Sequence, residues 1–230
     1  MKELNVLYED NHLIVVIKPQ NVPTQEDESK DKDMLSIVKE YIKEKYNKPG
    51  NVYVGLVHRL DRPTGGVMVF AKTSKAASRL GEQIKNGEMF KKYLTVVEGK
   101  PRQDSAKLVN YLAKNERTNT VSVVPQLTHN AKYAELKYRT LDTNNNLSLV
   151  DVDLITGRSH QIRVQMKYIG CSIYGDAKYG TKSSNGKLAL WSYFLKFEHP
   201  TTKKSMVFKV YPPLEENPWN NFKVEYLIEK

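Results

Sequence analysis

The sequence predicts an α+β domain built on a largely antiparallel or mixed central sheet with flanking helices. Apolar runs of strand length outnumber runs with helical spacing, and short turns join neighbouring strand-like runs. Too few helical runs stand between them to supply the crossovers of a doubly wound parallel sheet. The 230 residues, 40% of them hydrophobic, carry enough apolar material for one core. With no repeat and no interdomain linker, a single domain over 1–230 is expected.

Leu4–Tyr8 and Leu13–Ile17 form a strand pair around the turn residues Glu9-Asp10-Asn11, and Lys18-Pro19 ends the second strand. Residues 20–33 are almost devoid of apolar side chains and form a charge-mixed surface loop. Leu35, Val38, Ile42 and Tyr46 recur at helical spacing, so 34–46 is a helix. Val52–Val57 and Val67–Ala71 are strands, and Ser74–Asn86 is a helix with Gly87 as its stop. Phe90–Glu98 is a strand. Ala131–Leu141 and Leu147–Ile155 form a hairpin across Asn144-Asn145-Asn146. Gly157–Tyr168 is a helix candidate with Gly170 at its C-terminal end, and Leu188–Phe197 and Met206–Val210 return to strands.

Thirty-six Lys and Arg against 26 Asp and Glu leave a net charge of +10. A basic domain of this kind suits a polyanionic partner, most often nucleic acid, because each neutralised phosphate releases counterions. The single cysteine, Cys171, excludes an intrachain disulfide and a cysteine-based zinc site, which fits a reducing cytoplasmic setting. The apolar run Leu13–Ile17 is too short for a signal segment or a membrane span, so a cytoplasmic protein with no membrane association is expected.

Between the strands Val52–Val57 and Val67–Ala71 lies His58-Arg59-Leu60-Asp61-Arg62-Pro63-Thr64-Gly65-Gly66. A carboxylate between two arginines is a poor way to build a core and a good way to hold one charged side chain on a rigid corner. Asp61 is a candidate nucleophile or base, kept ionised by its neighbours; by itself it equally suits a turn aspartate bonding its own backbone. The second constellation is Gly157-Arg158-Ser159-His160-Gln161-Ile162-Arg163-Val164-Gln165. Ile162, Met166 and Ile169 share one helical face, and His160, Arg163 and Lys167 another. Cations early in a helix oppose the macrodipole, so this face either meets an anion, a phosphate or Asp61 itself, or is an exposed basic stripe. Strand alternation puts Lys91 and Tyr93 on one face and Lys92 and Leu94 on the other, with Tyr93 either core or an active-site wall with a polar tip. The loop Ile173–Gly180 is rich in glycine and tyrosine. Signatures for nucleotide hydrolysis, nicotinamide chemistry, zinc hydrolysis and serine hydrolysis are absent from the sequence.

In this order, these segments resemble the RluA-type pseudouridine synthase family. The His-Arg-Leu-Asp-x-x-Thr-x-Gly match at 58–66 and the Gly-Arg-Ser-His-Gln-Ile-Arg-Val run at 157–164 are its most specific parts. Leu13–Pro19, Lys92-Tyr93-Leu94, Ile173–Gly180 and Leu188–Pro200 support it over residues 8–212. The resemblance implies the pseudouridine synthase catalytic-domain fold and an enzyme that isomerises uridine to pseudouridine in ribosomal or transfer RNA, with no metal and no organic cofactor. It implies Asp61 as nucleophile, Tyr93 packed against the target base, and Arg163 paired with Asp61. Arg62 would displace the target base, which fits base extrusion; Arg59, Arg158, His160 and Lys167 would contact RNA. The chain departs from the family pattern at Gly65, where serine is usual, and at Gln165, where histidine is frequent. The first strand begins close to Met1, so no N-terminal S4-like RNA-binding domain is expected. RNA recognition then falls to the 20–33 loop, the 100–130 segment and the basic helix face, in a monomer. A catalytically silent RNA-binding protein on the same fold is the alternative. A glycosidase is weaker, because no second acid stands in a comparable motif.

Overall fold

The computed structural model describes residues 4–180 and 186–229. Among them the elements run β1 (Val6–Glu9), β2 (Leu13–Lys18), α1 (Met34–Lys45), β3 (Gly55–Leu56), β4 (Gly65–Ala71), α2 (Ser74–Lys85), β5 (Phe90–Glu98), β6 (Ser105–Asn115), β7 (Thr120–Val124), β8 (Lys132–Asn144), β9 (Leu147–Leu154), α3 (Gln161–Tyr168), β10 (Leu190–Glu198), β11 (Ser205–Lys209) and α4 (Val224–Glu229). The packing divides the chain into two compact units: Met1–Phe90 with Ser192–Val210 form unit 1, and Lys91–Trp191 with Tyr211–Lys230 form unit 2. Strands with flanking helices make this an α+β protein, as the run lengths predict.

In unit 1 the strand order is β1-β2-β4-β10, with β11 beside β10 and β3 beside β4. Leu13–Val16 and Val67–Ala71 are fully buried, which is why neither run alternates in the sequence. One face of this sheet packs Leu13, Val15, Val67 and Val69 against Leu80 of α2 and Leu195 and Phe197 of β10. The predicted strand Val52–Val57 survives only as Gly55–Leu56, paired with Ala71 and Phe70. β2 fills one edge of β4, so β3 and β10 share the other, and two residues are all that fit. Asp33 caps α1 by accepting the Ser36 amide at 3.1 Å, and Thr73 caps α2 by accepting the Ala76 amide at 3.1 Å. His199 is buried and closes the turn before β11: its Nδ1 accepts the amides of Thr201 and Thr202 at 3.1 and 2.9 Å, and its Nε2 meets Asp10 Oδ2 at 2.8 Å. That is the structural work of the Glu198-His199-Pro200 segment.

Unit 2 is an antiparallel sheet in the order β5-β9-β8-β6-β7. β6 and β7 occupy the 100–130 segment, for which the sequence suggests RNA contact and no element. β6 is half exposed along its length, with Lys107, Asn110 and Lys114 interrupting the apolar pattern. Val164 of α3 packs with Leu112, Val121, Ala134 and Tyr179. The helix starts at Gln161, four residues later than predicted from Gly157. Gln161 Oε1 accepts the Arg158 amide at 3.0 Å and the Thr156 hydroxyl at 2.7 Å, and these bonds close a turn that holds 156–160 out of the helix. No helix among the described residues is long and apolar enough to cross a membrane.

Candidate active site

The corner carrying Asp61 is built by the segment that follows β2. Asn21 donates its amide to the Arg62 carbonyl at 2.8 Å, and the Gln20 side-chain amide donates to the Pro63 carbonyl at 3.1 Å. The Thr24 hydroxyl donates to the Leu60 carbonyl at 2.7 Å and accepts the Leu60 amide at 3.3 Å. Thr64 donates its amide to the Asp61 carbonyl at 2.9 Å, closing a four-residue turn. The Val69 amide donates to His58 Nε2 at 3.1 Å, so that nitrogen is the unprotonated one and the motif histidine is pinned to β4. Gly66 follows with φ +126°, and a Cβ there would lie 2.2 Å from the Ser192 carbonyl oxygen, so only glycine fits.

Beneath this corner lies Lys18, fully buried at the end of β2. Its Nζ donates to the carbonyls of Pro19, Arg62 and Thr64 at 3.0, 2.9 and 2.7 Å. Three carbonyls match the three N–H bonds of an ammonium, whereas a neutral amine would aim its lone pair at one of them. Burial pulls the Lys18 pKa down to about 7; the charge of Asp61 works against this and that of Arg62 with it. Asp61 itself is half buried. A lone lysine closing an otherwise apolar run, followed by proline, was the signal available in the sequence, which suggests only a strand end there.

Arg59 is exposed. The Arg62 guanidinium turns back onto the 20–33 loop, where it donates to the Ser29 hydroxyl at 2.7 Å, pairs with Asp31, and has Asp27 at 3.7 Å. The predicted surface loop is thus a partner of the motif.

In unit 2, Tyr93 is 5% exposed on β5, and Lys91 on the same strand face is buried with it. α3 departs from expectation. Gln161 through Met166 are all buried, so Arg163 sits inside the unit and not on an exposed basic stripe. Within unit 2 it is met by the carboxylate of Asp176: Arg163 Nε and Nη2 donate to Asp176 Oδ2 and Oδ1 at 2.8 and 2.7 Å. This fork uses two of the five guanidinium N–H bonds. Burial acts to raise the Asp176 pKa, but Arg163 and the amides of Lys178 and Tyr179 overcome it and hold the carboxyl below its usual value. The Gly-Asp-Ala-Lys-Tyr-Gly loop, uninformative by itself, therefore supplies the partner of a motif arginine. Tyr179 stacks under that arginine, 5.0 Å from ring centre to guanidinium carbon, accepts the Val121 amide at 2.8 Å and meets His160 Nδ1 at 2.6 Å. His160 is left-handed at φ 52° and precedes the helix. Lys167 is exposed, with its Nζ 5.9 Å from the Tyr179 ring centre. Arg158 turns its Nε to the Tyr133 carbonyl at 2.8 Å. Arg163, His160 and Lys167 thus converge on Tyr179, while Arg158 points to β8.

A family model described as RNA pseudouridylate synthase matches residues 12–168, a span that contains both motifs. The chain belongs to this family. An "Uncharacterized RNA pseudouridine synthase YjbO" of Bacillus subtilis is 34% identical over 215 residues, covering 89% of this chain and 71% of that one. A "Ribosomal large subunit pseudouridine synthase C" of Rickettsia bellii is 33% identical over 195 residues, covering 83% and 60%. The chain spans 66% of an "Uncharacterized RNA pseudouridine synthase" of Helicobacter pylori, to which it is 30% identical. Among solved structures, human RNA Pseudouridylate Synthase Domain Containing 4 superposes with a TM-score of 0.76 at 21% identity, covering 91% of this chain and 88% of that one. That likeness shows the fold.

Proposed function

We propose that this protein isomerises uridine to pseudouridine within RNA, with Asp61 as the nucleophile. The observation that carries the reading is the Asp61 corner: a carboxylate in the family's motif, on a loop whose backbone is held at Leu60, Arg62, Pro63 and Thr64 by side chains and amides from 18–24. A nucleophile held this tightly meets its target with little reorganisation. The reaction balances within the substrate. The C1′–N1 bond breaks, C1′ bonds to C5, the C5 proton leaves and N1 gains one, so neither oxidant nor metal is required.

Tyr93 supplies a flat wall for the extruded base, and Arg163 the counter-charge for Asp61. Both roles rest on the family motifs. Arg59, Arg62, Arg158, His160 and Lys167 contact RNA phosphates, with Arg62 also entering the space the base vacates. Ribosomal RNA is the favoured substrate, because the Rickettsia bellii relative bears that name; the enzyme works in the cytoplasm as a monomer. The test is tritium release from C5-tritiated uridine in ribosomal and transfer RNA transcripts. Wild type releases label and Asp61→Ala does not; full activity in the variant would remove Asp61 from the chemistry.

A further inference from the structure

Two adjacent lysines follow Phe90 at the start of β5 and differ in one respect. Lys92 has Asp151 Oδ2 3.6 Å from its Nζ on the neighbouring strand. Lys91, on the opposite face, is 91% buried and has no hydrogen-bond or ion-pair partner among the described residues, and burial alone moves its pKa, downward. The ammonium of a lysine buried to this degree has given up part of its hydration, which penalises the folded protein. A charged group from outside the chain can restore what burial removes.

Its surroundings say what that is. Lys91 shares a strand face with Tyr93, two residues on. Its Nζ opens beside Gly157, an exposed residue; a Cβ there would lie 3.6 Å from the nitrogen, and without one the approach is bare. Gly157 begins the Gly-Arg-Ser-His run, and α3 behind it has no acidic residue in its first turn. A buried cation with an open approach and no internal carboxylate fits an anion brought by the substrate.

We propose that Lys91 is a backbone-phosphate site of the bound RNA, holding the phosphate next to the nucleotide whose base lies on Tyr93. This rests on the functional reading above and adds a residue to it. The ammonium gives one charge-assisted contact to the target nucleotide, reached only when the base is seated, so it contributes at the chemical step as well as in binding.

The experiment uses the full-length protein and C5-tritiated ribosomal RNA transcripts, comparing wild type, Lys91→Met and Lys91→Arg. In Lys91→Met, kcat/KM falls about tenfold, the size of one such contact. The slope of log kcat/KM against log salt becomes shallower by about 0.7–0.9, one phosphate's worth. The melting temperature rises by about 2–4 °C, because the unpaired charge is gone. Lys91→Arg restores the salt slope. In an oligonucleotide spanning a converted uridine, replacing the flanking phosphate with a methylphosphonate abolishes the difference between wild type and Lys91→Met.

An active wild type with an indifferent Lys91→Met overturns the proposal alone, as does a difference that persists on the methylphosphonate RNA. A lower melting temperature in Lys91→Met would make the lysine structural and overturn it too. A wild type silent on every RNA overturns the functional reading, and this site with it.

Discussion

Replacing Lys18 by methionine keeps the side-chain length and removes the three N–H bonds under the Asp61 corner. The Pro19 and Thr64 carbonyls then lose this donor, while the Arg62 carbonyl keeps the Asn21 amide. At about 1–3 kcal/mol for each acceptor left without a partner, the two together cost about 4 kcal/mol. Against it stands relief from burying an amine. A pKa pulled from 10.5 to about 7 corresponds to about 5 kcal/mol at 1.36 kcal/mol per unit. The two nearly cancel, so Lys18→Met folds with a stability within a few kcal/mol of wild type. With Asp61 as the proposed nucleophile, catalysis has no such compensation: the Arg62 and Thr64 carbonyls flank Asp61 in sequence, and a displacement of about 1 Å at a reacting group costs roughly 100-fold. The expected result is kcat down about 100-fold in the tritium-release assay, with little change in KM. Stability carries a separate mark. Between about pH 7 and 10.5 the unfolded chain holds the Lys18 proton and the folded chain does not, so wild-type stability rises with pH across that window by up to about 1.4 kcal/mol per unit. Lys18→Met loses that rise. A variant with kcat within twofold of wild type would refute the argument that Lys18 positions the corner.

Asp176→Asn strands Arg163 inside unit 2 and should lower stability by about 3–5 kcal/mol in urea unfolding. The depressed Asp176 pKa means that its contribution is present above the ordinary carboxylate range and lost as pH falls through the folded value, so wild type loses stability more steeply in acid than the variant. Gly66→Ala forces a Cβ to 2.2 Å from the Ser192 carbonyl oxygen at φ +126°, and soluble yield and melting temperature should both fall sharply. Asp27→Asn with Asp31→Asn releases Arg62 from the 20–33 loop; exposed pairs of this kind are worth about 0.2–1 kcal/mol each, so KM for RNA should drop by about two- to fivefold while the melting temperature stays within a few degrees.

Much of the fold was legible because apolar runs declare buried strands. Leu13–Ile17 and Val67–Ala71 have no charge to disguise them, and the hairpin across Asn144–Asn146 carried its own turn residues. β6 and β7 were not legible, since a strand half open to solvent mixes lysine and asparagine with its valines and leucines and loses its period. The start of α3 was misplaced because a side-chain hydrogen bond, Gln161 to the Arg158 amide, competes with helix there.

The sequence by itself determined the family and the chemical inventory: contiguous motifs put Asp61 between arginines on a corner and placed Tyr93 on a strand. Tertiary structure alone decided how those groups are held. Lys18 is 43 residues from Asp61, and Asp176 is 13 from Arg163, beyond the reach of any helical or strand period. Hydrogen bonds to carbonyls and the pairing of buried charges depend on distance in space, and carbonyls look alike in every residue. A lysine that anchors a loop and one that awaits a phosphate are therefore the same letter until the fold shows what surrounds each.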